Sequence, residues 1–121
     1  MGTPNRPHRM HDDVSAVRPR DTSERFVFNQ ETVYIEVFAE GPCVIKLGDG
    51  DGTVTINAFD GDDVERLPVN AWEGVQLNDP QGHASRKADM AFRAATPTRL
   101  FIREWYDTVR DGGAMGEPYA P

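Results

Sequence analysis

Cysteine is nearly absent. Cys43 is the only one in 121 residues, so no disulfide can form within the chain. It lies in an apolar run, Cys43-Val44-Ile45, with no basic neighbour to favour a thiolate, and reads as a small core residue. Long apolar runs are missing too. No stretch reaches membrane-spanning length, so no membrane partner is expected. The first residues lack the apolar segment of a secretion signal. Gly2 follows Met1, but the hydroxyl residue that N-myristoylation wants at the sixth position is not there.

The signatures of catalysis are equally scarce. There is no G-x-S-x-G elbow, no Walker A loop, and no G-x-G-x-x-G leading from a strand into a helix. Ser15, Ser23 and Ser85 sit in polar contexts, and Ser85 lies two residues from His83 with nothing to fix their geometry. His8 and His11 are three apart but flanked by proline, which works against the helical turn that would aim both at one metal. A metal enzyme on a small β-barrel would need histidines and glutamates clustered on strands, and His83 is alone in the body of the chain. The expectation is a protein that is not an enzyme and holds no cofactor. Asp49, Asp51 and Gly52 match part of an EF-hand loop, but Leu47 and Ala58 stand where its first and twelfth ligands belong. Glycine and aspartate there are explained by a turn.

What is present points to β structure. Hydrophobic residues make up 38% and charged residues 27%, enough for one polar-surfaced domain but not for a disordered chain. Eleven glycines and nine prolines suit many turns and short strands. Helical amphipathicity is nowhere convincing. Thr32 to Ala39 alternates cleanly, with Val33, Ile35, Val37 and Ala39 on one face and Tyr34, Glu36 and Phe38 on the other. Phe26–Phe28, Cys43–Leu47, Val64–Leu67, Val69–Leu77, Met90–Ala94 and Arg99–Tyr106 read as further strands. Thr53 to Phe59 also alternates, and with Cys43–Leu47 it is expected to form a hairpin about the Gly/Asp turn. Seven or eight short strands predict a small β-sandwich or jelly-roll-like barrel over residues 26–107.

Charge divides the chain unevenly. The net charge is −7, yet residues 1–25 hold five arginines against four acids, while residues 26–107 hold seven basic and fourteen acidic side chains. An acidic body repels phosphate, so no nucleic-acid partner is expected. Residues 1–25 and 108–121 are Pro- or Gly-bearing and without period, and are expected to be extended arms. Arg6, Arg9, Arg18 and Arg20 are the candidate arm residues for pairing with acidic patches on a partner. Both faces of several strands are part-apolar. Phe101 and Trp105 oppose Leu100 and Ile102, which predicts a second buried contact and hence oligomerisation. Trp72, Trp105 and Tyr106 are candidate interface or sugar-stacking aromatics.

A β body with two arms resembles the small capsid decoration (cement) proteins of tailed bacteriophages. The resemblance covers residues 26–107 and the flanking arms and is architectural. It implies a homotrimer on the capsid surface of a virion, made in the host cytoplasm, with the major capsid protein as partner and stabilisation of the shell as its role. The alternatives from the residues are a β-sandwich carbohydrate-binding module, or another virion component such as a tail or head–tail joining protein.

Overall fold

The computed structural model describes residues 8–10, 14–79 and 85–107. Nine strands account for the regular structure of those residues: β1 (His8–Met10), β2 (Ser15–Val17), β3 (Glu24–Val27), β4 (Thr32–Ala39), β5 (Cys43–Gly48), β6 (Glu65–Arg66), β7 (Trp72–Gln76), β8 (Asp89–Ala94) and β9 (Leu100–Asp107). They form two antiparallel sheets. One has the order β2-β9-β4-β7, with β1 also paired to β9, and the other has the order β3-β8-β5-β6.

The order has a simple logic. From β2 onward the strands pair as β2 with β9, β3 with β8, β4 with β7 and β5 with β6. The two halves of the chain therefore run side by side as one long hairpin, bent so that from β2 onward every connection except β5–β6 crosses between the sheets. This is the jelly-roll arrangement. The all-β sandwich expected from the sequence is thus the fold observed.

The sequence explains the inner face. Along β4 the residues at 33, 35, 37 and 39 are buried, and those at 34, 36 and 38 are only half-buried, as the alternation predicts. Ile35, Val37, Ile45, Met90, Phe92, Leu100 and Ile102 from both sheets form the main core. Cys43 is part of it. Burial pushes its thiol up to about 11, so it stays protonated near neutral pH.

One expected element is corrected. Thr53–Phe59 is not a strand, and the expected hairpin with β5 does not form; β5 lies between β8 and β6 instead. The alternation is real but serves a different end. Val54, Ile56 and Phe59 pack over Val44 and Ala91, on the outer face of the β3-β8-β5-β6 sheet. The Ile56 N–H donates to Ser23 Oγ at 2.9 Å, and the Ile56 carbonyl accepts from the Arg93 guanidinium at 2.8 Å. Both backbone polar groups of Ile56 are thus met by side chains, not by a neighbouring strand. The Gly/Asp turn before it is as expected in its chemistry: Gly50 and Gly52 take positive φ (90° and 85°), and Asp51 Oδ1 accepts from the Thr53 N–H and hydroxyl. Buried Asp89 anchors the turn, accepting from the Gly50 N–H at 3.1 Å and from Arg25 Nε at 2.5 Å.

The segment before Phe26 also contributes to the sheets. β2 lies on the edge of β9, and Glu24 and Arg25 open β3. Residues 108–121 lie outside the described residues.

Candidate interaction face

The outer face of the β2-β9-β4-β7 sheet is built from alternate residues of three adjacent strands. Their registers set three cross-strand rows. Trp72, Phe38 and Phe101 form the first, Gly74, Glu36 and Arg103 the second, and Gln76, Tyr34 and Trp105 the third. The first row is wholly aromatic. Phe38 lies 5.3 Å from Trp72 and 6.3 Å from Phe101 by ring centroid, both tilted, within the range in which ring pairs attract.

The middle row holds the charge. Glu36 Oε1 accepts from Trp105 Nε1 at 3.0 Å and lies 3.3 Å from Arg103 Nε. The Arg103 guanidinium lies 3.7 Å from the centre of the Trp72 ring, a close cation–π contact. One carboxylate and one guanidinium thereby tie the two tryptophans into a single surface. Gly74 makes room for the Tyr34 ring, since a side chain there would collide with the Tyr34 hydroxyl. At one end of β9, Arg99 stacks on Phe101 at 5.5 Å and forms a bidentate pair with Glu40 at 2.8 and 3.0 Å. Trp72 is 41% exposed, among the most exposed large apolar side chains described.

Two of the three aromatics singled out from sequence, Trp72 and Trp105, share this face. Tyr106 does not. It follows Trp105 on β9, pairs with Thr32, and borders a shallow depression with Asn29, Gln30 and Glu31. On the same side of β9, buried Glu104 accepts from the Asn29 N–H and the Thr32 hydroxyl, each at 2.7 Å. Glu36 and Arg103, which organise the face, were not among the sequence candidates. The signal was available: Phe101-x-Arg103-x-Trp105 puts an arginine in the middle of an aromatic stripe on an alternating strand.

The arm arginines are dispersed. Arg6 lies outside the described residues. Arg9 is in β1, opposite Tyr106. Arg18 is exposed and lines a shallow depression with Glu40, Pro97, Thr98 and Arg99. Arg20 is exposed and pairs with Glu24 at 2.9 Å, an ion pair of the kind that contributes about 0–1 kcal/mol and leaves the guanidinium available to a partner. Of the histidines, His8 is in β1, and His11 and His83 lie outside the described residues. Among the described residues no group of three or more His, Cys, Asp or Glu side chains is placed to hold a metal ion.

No family model and no curated protein matches the sequence. A solved structure from the disulfide-linked pili that form Bacillus endospore appendages is similar in shape, with a TM-score of 0.48 and 10% identity over 83% of this chain and 88% of that one.

Proposed function

We propose that this chain is a structural protein without catalytic activity, a capsid decoration (cement) protein of a virion. The observation that carries the reading is the contrast between the two outer faces. The chain covers one with its own 53–59 segment and leaves the other as an aromatic surface with Trp72 open to solvent. A contiguous aromatic patch with charge embedded in it suits a protein contact, in which indole and arginine groups contribute most of the binding energy. In this reading the face lies on the major capsid protein, and the body is a homo-oligomer, a trimer on the decoration-protein pattern. The Arg-bearing N-terminal segment adds weak contacts that sum by avidity.

The test is co-sedimentation with emptied shells of the particle whose genome encodes the chain. Wild-type protein is expected to sediment with the shells and raise their disruption temperature. Trp72→Ala is expected to lose most of that binding while keeping its β-sheet circular dichroism. Deletion of residues 1–13, which spares β2 and everything after it, is expected to weaken binding further. Wild-type sedimentation of the Trp72 variant would overturn the role of the face. Failure of the wild type to bind shells, together with binding on a glycan array, would replace the reading with a carbohydrate-binding module.

A further inference from the structure

The aromatic row of the outer face reaches one strand further than its rings. Ala16 on β2 is the direct partner of Phe101 on β9, so Trp72, Phe38, Phe101 and Ala16 form one apolar row across four strands. Three interstrand spacings make it about 14 Å long. On β2 the alternation is clear: Val17 packs against the core, while Val14, Ala16 and Arg18 are exposed. Charge flanks the row on both sides. Glu36 and Arg103 lie two residues along their strands in one direction. Arg18, Glu40 and Arg99 lie two residues along in the other, where they border a shallow depression.

The β2 end of the row is where a partner group fits. Ala16 is small, so the row steps down beside the Phe101 ring. Charge at this end is unbalanced. Arg103 is paired with Glu36, and Arg99 with Glu40. Among the described residues Arg18 is paired with no carboxylate, and the chain just after it is fixed: Pro19 is fully buried, and its carbonyl accepts from the Thr98 N–H at 3.1 Å. The described charged side chains of this face are thus three arginines against two glutamates, in a body with fourteen acidic and seven basic residues. Charges more than about 8 Å apart are largely screened at physiological ionic strength. A partner on this face therefore meets the local positive surplus, not the acidic total.

We propose that the face takes an acidic, apolar peptide segment of its partner protein: apolar side chains lie along the Trp72–Ala16 row, one of them in the step over Ala16 against Phe101, and a carboxylate beside it pairs with Arg18. The apolar contacts supply most of the affinity. The carboxylate fixes which way the segment lies, because the guanidinium offers two parallel donors to it. The other two arginines are already neutralised, so a basic segment gains nothing from Glu36 or Glu40 and is opposed by Arg18. The inference rests on the reading of this face as a protein contact and names the chemistry of what it contacts.

The test is fluorescence anisotropy with the full chain and three sets of short labelled peptides. All share the same apolar positions, filled by leucine and phenylalanine, and the positions between are glutamate, serine or lysine. The glutamate set is expected to bind best and the lysine set at least about tenfold more weakly, with the serine set between them. Raised salt is expected to bring the glutamate set down to the serine set. Arg18→Glu is expected to abolish the preference, and Ala16→Glu, which fills the step and pairs with Arg18 within the chain, to abolish binding. Circular dichroism checks that both exposed-site variants keep the fold. Equal binding of the three sets by the wild type, a preference for lysine, binding of none, or an unchanged glutamate preference in Arg18→Glu would each overturn the inference. So would self-association that Trp72→Ala abolishes and the peptides do not compete, since a second copy would then occupy the face. The capsid reading is tested separately by shell sedimentation: glutamate preference without shell binding sinks that reading alone, and shell binding that Arg18→Glu leaves unchanged sinks this inference alone.

Discussion

The two sheets share a core but differ on their outer surfaces. On β3-β8-β5-β6 the outward residues Val44 and Ala91 are as buried as the core, because the chain doubles back over them with Val54, Ile56 and Phe59. On β2-β9-β4-β7 the outward residues cover one another: Phe38 leans on Trp72 and Phe101, and Arg103 lies over Trp72. Apolar residues on an outer face can thus be buried by the chain's own loop or left in a self-packed layer. The first arrangement is part of the folding energy. The second keeps a surface available.

That contrast predicts a graded set of effects. The largest is at Ile56, 1% exposed on the covered face. Ile56→Ala is expected to reduce unfolding free energy by about 2–4 kcal/mol, from lost burial plus the cavity left behind, measured by urea denaturation. On the open face, Trp72→Ala is expected to cost about 1–2 kcal/mol, since it removes one tilted ring pair and one cation–π contact from a side chain already part-hydrated. If Trp72→Ala destabilises the isolated protein more than Ile56→Ala does, the open face is part of the folding core and the comparison fails. Smaller again is Ser23→Ala, which removes the hydroxyl that accepts from the Ile56 N–H. A loss of about 0.5–1.5 kcal/mol is expected, with hydrogen exchange at Ile56 accelerated more than at Ile35.

The smallest effect is at the seam between the sheets. Glu65, exposed on β6, has its carboxyl pushed up from the usual glutamate range, first by loss of some of its hydration and then by the neighbouring Glu73 carboxylate. A raised folded-state value means that the unfolded chain loses this proton first. The favourable contribution is complete below the ordinary glutamate range and is lost as pH rises through the raised value. Glu65→Gln is therefore expected to raise the melting temperature slightly at pH 7 and not at pH 3. An equal gain at both pH values would rule out ionisation as its cause.

Local pattern made some of this legible. The β4 boundaries at Thr32 and Ala39 and the directions of its side chains from Val33 to Ala39 follow from alternation alone, whereas Thr32 turns inward at a register shift before Tyr34; β9 was foreseen to within a residue. The 53–59 segment was misread for a physical reason. A loop lying along a sheet also alternates between buried and solvated positions, and only the hydrogen-bond partners, Ser23 and Arg93, distinguish it from a strand. β2 was missed for the opposite reason. Ser15-Ala16-Val17 buries little, and it is a strand because β9 offers it a backbone ladder. The interaction face was half legible. Trp72 and Trp105 stood out as aromatics, but their union depends on Glu36 and Arg103 meeting across strands far apart in sequence.

The paired halves of the chain also set an order of assembly. The β5–β6 pair joins segments separated only by the 49–64 connection, whereas β2 must find β9 across nearly the whole length of the polypeptide. Loop-closure entropy favours the near pair early and delays the distant one, and a topology dominated by distant pairings folds slowly, on a scale of about milliseconds to seconds. The zipper therefore closes from the middle of the chain toward its ends. The last seam to close is then the one between β2 and β9.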